Sequence, residues 1–164
     1  MSGDRTLVGV GGWLAFFVIS LAVLTPLAMV AGTAINLYGD PAVGSAFGER
    51  WAALQAFEWT LGLLVIACSW FMAWRLMKVQ VWQSVRIVIA GIWLLGLGTV
   101  VVEGLGVWLV GGMSFDLALG AIAPELIRPF IYGAIWTAYF LRSERVANTY
   151  ARNSDQSEVA EIFG

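Results

Sequence analysis

The chain has 164 residues, of which 60% are hydrophobic and only 12% are charged, against about 25% charged in an ordinary soluble domain. A soluble protein of this size has too much surface for its volume to bury so many apolar side chains. The composition therefore excludes an ordinary soluble domain and predicts an integral membrane protein. The formal net charge of −2 and the scattered basic residues also exclude a nucleic-acid-binding surface.

The chain contains no histidine and a single cysteine, Cys68. Histidine is the commonest ligand of zinc and haem and the usual general base near neutral pH. One cysteine allows no internal disulfide. We therefore expect no cofactor, no metal site and no catalytic residue, and so a protein that is not an enzyme.

The first apolar segment runs from Leu7 to Leu37, which is longer than the ~20 residues that a helix needs to cross a bilayer. Pro26 lies near its middle and lacks an N–H, so it frees the carbonyl of Ala22 and predicts a kink. A cleaved signal peptide is the competing interpretation, since Ala28 to Ala34 offers small residues for processing. The apolar run is longer than a signal core, which favours a membrane span.

Three more apolar segments follow, separated by a turn-forming loop at 38–50, a basic turn at 78–86 and a glycine-containing link at 111–123. A backbone in lipid must satisfy its own hydrogen bonds, so the segments are expected to be helices. The sequence predicts an all-α, polytopic membrane protein. Residues 1–150 form one domain with transmembrane helices at about 9–37, 52–77, 87–110 and 118–141, and 151–164 form a polar cytoplasmic tail.

The basic residues are distributed unevenly between the predicted loops. If four spans alternate in direction, seven of the nine fall on one side: Arg5, Arg75, Lys78, Arg86, Arg142, Arg145 and Arg152. Only Arg50 and Arg128 remain for the other side. Because loops rich in arginine and lysine stay in the cytoplasm, both termini are predicted to be cytoplasmic.

Four ionisable residues are predicted at a similar depth in the outer half of the membrane. Glu58 opens the second span, and Glu103 lies about 26 Å along the third from its inner end. Glu125 and Arg128 lie about 24 and 20 Å above the inner boundary. Tyr132, four residues after Arg128, shares its helix face. Charged groups at depth usually face the bundle interior and pair, so Arg128 is expected to be the hub of a polar cluster.

Three interpretations of this cluster remain open. It can be a structural clasp, with some members reaching the headgroup layer. It can bind a cation, a proton or a small polar solute, because three carboxylates beside one base leave one acid as a candidate proton carrier. It can also be a contact surface for another membrane protein.

Two short patterns carry a family resemblance. They are Gly11-Gly12-Trp13-Leu14 near the start and Trp136-x-x-Tyr139-Phe140-x-x-Ser143-x-Arg145-Val146-x-x-Thr149-Tyr150 near the end. On these patterns, roughly residues 7 to 150 resemble a family of small bacterial inner-membrane proteins that is catalogued as a domain of unknown function. The resemblance implies four spans and the bacterial inner membrane, with no established activity, cofactor or catalytic residue.

The end pattern is also a candidate interface motif. Trp136, Tyr139 and Phe140 are expected to seat the helix at the cytosolic membrane surface, with Arg145 holding it there and Ser143 capping the exiting chain. A binding site for a cytosolic or membrane partner is the alternative.

The leading functional hypothesis is a non-enzymatic accessory or assembly subunit that acts by association with a larger membrane complex. The alternative is a small oligomeric transporter or channel that uses the outer Glu/Arg cluster. The expected partners are the lipid bilayer and either another membrane protein or further copies of the chain.

Overall fold

The computed structural model describes residues 8–150, and the predicted polar tail at 151–164 lies outside this range. Within it the chain forms helices and short connections. The helices are α1 Trp13–Ile19, a π-helical turn Ser20–Leu24, α2 Thr25–Tyr38, α3 Pro41–Phe47, a 3₁₀ turn Gly48–Arg50, α4 Trp51–Lys78, α5 Trp82–Leu109, α6 Phe115–Glu125, α7 Ile127–Arg142 and α8 Glu144–Thr149.

Four stretches of the described chain are long and apolar enough to cross a membrane. They are Trp13–Tyr38, Pro41–Lys78, Trp82–Leu109 and Phe115–Arg142. The prediction of an all-helical chain with four such helices is confirmed. The chain is a multi-pass membrane protein.

The connections are shorter than the sequence suggested. The expected loop at 38–50 is mostly helical, because Asp40 caps α3 by accepting a hydrogen bond from the Ala42 N–H at 2.9 Å. Between α4 and α5 only 79–81 are non-helical, and α6 already begins at Phe115. The fourth span breaks at Leu126, between Pro124 and Pro129, where two backbone donors are missing.

The first span is interrupted where Pro26 was expected to disturb it. The π-helical turn Ser20–Leu24 lies immediately before the proline, and the carbonyl of Ala22 accepts a hydrogen bond from the indole Nε1 of Trp70 at 2.9 Å. An unsatisfied carbonyl in lipid costs free energy, so Trp70 compensates for the donor that Pro26 lacks.

Helix α5 packs against α4, α6 and α7, and α2 packs against α4. Glycines allow these close approaches. A methyl group on Gly96 would come 3.1 Å from Pro129, and one on Gly91 would overlap Met72. Trp93, on the same helix, donates from Nε1 to the Thr137 hydroxyl at 3.0 Å.

Candidate functional site

A cavity of about 260 Å³ lies at the end of the bundle where α2, α4 and α6 approach α5. Three glutamates line it, one from each of three helices: Glu58 on α4, Glu103 on α5 and Glu125 on α6. Most of the other lining residues are apolar. We call this the glutamate cavity.

The helix lengths explain why the three carboxylates meet. By the α-helical rise, Glu58 lies about 30 Å from the end of α4 at Lys78, and Glu103 about 31 Å from the start of α5 at Trp82. Glu125 lies about 26 Å from Arg142 along the broken fourth span. The helix ends at Lys78, Trp82 and Arg142, from which these distances are measured, lie together at the opposite end of the bundle. The three glutamates therefore lie at a similar depth.

Glu103 is the central member of the three, because its helix, α5, packs against both α4, which carries Glu58, and α6, which carries Glu125. Glu58 and Glu103 are half-buried, whereas Glu125 is exposed at the cavity rim. Three like charges in apolar surroundings repel one another and lose hydration, so the cavity favours bound protons or a bound cation.

Arg128 is not the hub that the sequence predicted. It is exposed on α7 and does not line the cavity. Within residues 8–150, no nitrogen of Arg128 lies within 4.0 Å of a carboxylate oxygen. The prediction rested on depth alone, and depth does not determine which side of its helix a side chain occupies. Tyr132 is also exposed and packs beside Trp136, with ring centroids 6.2 Å apart.

Sequence reasoning missed the contribution of the first span and of α3. Asn36 of α2 is a polar lining residue, and Phe47 and Trp51, stacked with centroids 6.0 Å apart, close one side. The signal for Asn36 was its position as the last polar residue in an otherwise apolar run. Phe47 gave no signal, because the segment that carries it was expected to be a loop.

The cavity is not a preformed chelating site. Among the described residues, no group of three or more His, Cys, Asp or Glu side chains is arranged closely enough to hold a metal ion. The volume is nevertheless sufficient for several water molecules. The arrangement can therefore hold protons, a hydrated cation or a small organic cation, with the carboxylates acting as acceptors.

The opposite end of the bundle is a closely packed contact between the two ends of the described chain, which we call the terminal junction. Thr149 accepts a hydrogen bond from the Gly9 N–H at 2.9 Å. The hydroxyl of Tyr150 donates to the Leu76 carbonyl at 2.7 Å. Tyr150 is fully buried, and this burial raises the pKa of its phenol.

The candidate interface motif lies inside the terminal junction. Trp136 and Phe140 are 8% and 0% exposed and contact Phe17, with ring centroids 4.4 and 5.1 Å away. Helix α1 covers both rings, and their expected role of seating the helix at the membrane surface stays a prediction. Tyr139 is half-buried beside Trp136.

The two polar members of the motif tie α8 to the rest of the junction. Ser143 caps α8 as expected, accepting from the Val146 N–H at 3.4 Å. Arg145 lies over Gly11, where an added methyl group would come 2.7 Å from its Nη1. Gly11 and Arg145 belong to the start and end patterns respectively, so the two patterns meet in space.

A family model described as "Protein of unknown function (DUF2569)" matches residues 7–151. The chain belongs to this family. The match confirms the resemblance that the two patterns indicated, and the DUF2569 region includes both the glutamate cavity and the terminal junction. No curated protein and no solved structure matches the chain.

Proposed function

We propose that this DUF2569 protein binds protons or a small cation in the glutamate cavity and acts, as an oligomer, as a small transporter or channel. One observation carries the proposal: three helices each direct a carboxylate to one apolar cavity, and no basic side chain among residues 8–150 lines it. Ionisable groups inside a membrane are costly and commonly mark ion or proton pathways. The proposed role is not enzymatic.

The proposed topology follows from the basic residues. We place both termini in the cytoplasm of a bacterium and the protein in the inner membrane, because seven of the nine basic residues then lie on the cytoplasmic side. The glutamate cavity would open towards the periplasmic half. Labelling of single cysteines by an impermeant maleimide tests this: a cysteine at Ser45 should react in intact cells, and one at Asn148 only after permeabilisation.

The number of spans favours an assembly over a single copy. Four helices packed on one another leave little room for a continuous aqueous path. The cavity is confined to one end of the bundle, and the terminal junction closes the other. A path across the membrane would therefore run between copies, with the cavity as the entry site.

Reconstituted vesicles provide the functional test. Proton, Na⁺ and K⁺ flux should be measured for the wild-type chain and for Glu103→Gln, with Asp116→Asn as the matched control. Asp116 is a carboxylate on the same helix as Glu125 that does not line the cavity. Glu103→Gln should abolish flux and leave the fold intact, and Asp116→Asn should retain both. Equal flux in all three chains contradicts the proposal.

A second candidate is an accessory or assembly subunit of a larger membrane complex. The exposed guanidinium of Arg128, on a helix that crosses the membrane, favours it because a charge on a lipid-facing surface calls for an acidic counterpart. Purification in mild detergent and mass measurement would test this role. Recovery of the bare monomer, under conditions that preserve known complexes, would count against it.

A further inference from the structure

Arg128 is a basic residue well inside the fourth span. It lies about 21 Å from Arg142 along the helix, which places it inside the hydrocarbon region rather than at the end of the span. Its side chain is exposed, and no carboxylate among the described residues pairs with it. A guanidinium is held most favourably by a carboxylate that it can meet with two hydrogen bonds.

Several exposed neighbours of Arg128 on α7 are apolar. Ile127, Ile131 and Ile135 are 59%, 52% and 61% exposed on α7. The opposite face of this helix is occupied, since Gly133 packs against Trp93 and Trp136 contacts Phe17. An exposed isoleucine-rich face with a basic residue at its centre is suited to a helix that carries the complementary charge.

The chain itself supplies that complement at the correct depth. Glu125 is exposed and precedes Arg128 by three residues, a rise of about 4.5 Å. A two-fold axis along the membrane normal keeps equal residues of two copies at equal depth. Such an axis would place the Arg128 of each copy opposite the partner's Glu125. The two equivalent contacts are the self-complementary pattern of an isologous dimer.

We propose that the Arg128 face of α7 docks a second copy of this chain, with reciprocal Arg128–Glu125 ion pairs across a two-fold axis. Glu125 is exposed at the rim of the glutamate cavity, so the ion pair would engage this rim residue and leave Glu58 and Glu103 as the unpaired carboxylates inside each cavity. The inference goes beyond the proposed function, because the dimer forms whether or not the cavity takes a cation.

Disulfide trapping in native membranes tests the surface. Cys68 is the single cysteine and is exposed on α4, so Cys68→Ser gives a cysteine-free chain into which Ile131→Cys or Ile135→Cys is introduced. The unmodified chain, which keeps Cys68, is a matched control because the two positions lie at a similar depth. Cys68 is about 15 Å from the helix end at Lys78, and Ile131 is about 16 Å from the helix end at Arg142. Oxidation should trap most of the Ile131→Cys chain as a dimer and little of the Cys68 chain.

Charge exchange between two differently tagged chains tests the ion pairs. In the Ile131→Cys background, Arg128→Glu alone and Glu125→Arg alone should each lose at least ~10-fold of the trapped dimer, because like charges then face each other. Co-expressed, the two variants should form the mixed dimer, in which each glutamate again meets an arginine. An ion pair within one chain cannot produce this rescue, since neither variant contains both charges at these positions.

Each other outcome contradicts the inference. Equal trapping at Cys68 and Ile131 would mean random collision. Undiminished trapping in both single variants would mean contact without the ion pairs. A wild-type monomer that retains phospholipid through Arg128 would identify a lipid phosphate as the occupant. Because none of these readouts depends on flux, failure of the dimer and failure of the proposed transport are distinguishable.

Discussion

The glutamate cavity and the terminal junction lie on the same four helices and are built in opposite ways. The junction contains most of the large buried side chains and includes the Tyr150–Leu76 and Thr149–Gly9 hydrogen bonds. The cavity instead brings together three acids, with no basic residue among the described residues that line it. Packing of the first kind stabilises a fold, whereas the second kind costs stability and is expected where a ligand compensates.

The largest effect on stability should come from the core of the terminal junction. Phe140→Ala removes a fully buried ring that contacts Phe17, and the void it leaves should lower the free energy of unfolding by about 3 kcal/mol. Lipid is as apolar as the core, so lost packing rather than transfer accounts for the loss. SDS titration in mixed micelles measures it.

Phe130→Ala is the matched control on the same helix, because Phe130 is 56% exposed. It should cost less than ~1 kcal/mol, since no cavity forms in the protein. Equal losses for the two variants would show that the packing difference between the ends of the bundle has no energetic consequence.

The next effect concerns the hydrogen bond that holds the last described residue. Tyr150→Phe leaves the Leu76 carbonyl without this donor and should cost about 1–3 kcal/mol at pH 7. Tyr38→Phe is the control, because its hydroxyl accepts only an exposed hydrogen bond from Trp59 Nε1 at 3.3 Å. It should change stability by less than half as much. A neutral Tyr150→Phe variant would contradict the role given to this bond.

The raised pKa of Tyr150 adds a pH dependence with a defined sign. The folded chain holds the phenol proton more tightly than the unfolded chain, whose tyrosine titrates near pH ~10. The free energy of unfolding should therefore be insensitive to this group below about pH 10 and fall as the pH rises further. Unfolding curves at increasing alkaline pH should show a shallower fall in Tyr150→Phe, and an identical slope in both chains would be the contrary result.

A smaller effect is expected at the π-helical turn between the two regions. Trp70→Phe removes the indole donor to the Ala22 carbonyl and should cost about 1 kcal/mol. Trp74→Phe is the control, because it removes a similarly exposed indole from the same helix, where the ring lies tilted beside Phe71. The Trp74 variant should leave the free energy of unfolding nearly unchanged. Equal losses of stability in both variants, measured by the same SDS titration, would contradict the role given to the Trp70 hydrogen bond.

The smallest effect on stability, with the largest on binding, should come from the cavity. Glu103→Gln removes the central charge of three repelling carboxylates, so the unfolding free energy should change by less than ~0.5 kcal/mol or increase. A loss comparable to that of Phe140→Ala would instead make the three acids a structural clasp, one of the interpretations that the sequence left open.

The sequence predicted what depends on hydropathy and on single residues. It indicated four spans, the disturbance at Pro26 and the level at which Glu58, Glu103 and Glu125 lie, because helix length converts residue number into depth. It did not predict which way side chains turn. Arg128 is exposed on α7 and lies outside the cavity lining, and α1 covers Trp136 and Phe140.

Long-range partners were also out of reach. Nothing in the local pattern around Trp70 or Tyr150 identifies a carbonyl 48 or 74 residues away as its acceptor. The helix at Pro41–Phe47 was missed because its glycine, serine and proline are typical of turns, while its N-terminal cap, Asp40, is a signal that could have been used.

The most direct test of the account is carbodiimide labelling of the glutamate cavity in native membranes, mapped by mass spectrometry. Dicyclohexylcarbodiimide modifies protonated carboxyl groups in apolar surroundings. Labelling is expected at Glu103, Glu58 or Glu125. It should fall as the pH rises or when a cation that the cavity binds is added. The Asp116→Asn control should keep the same labelling. Absence of label at all three glutamates, or label that responds neither to pH nor to any cation tested, would contradict it.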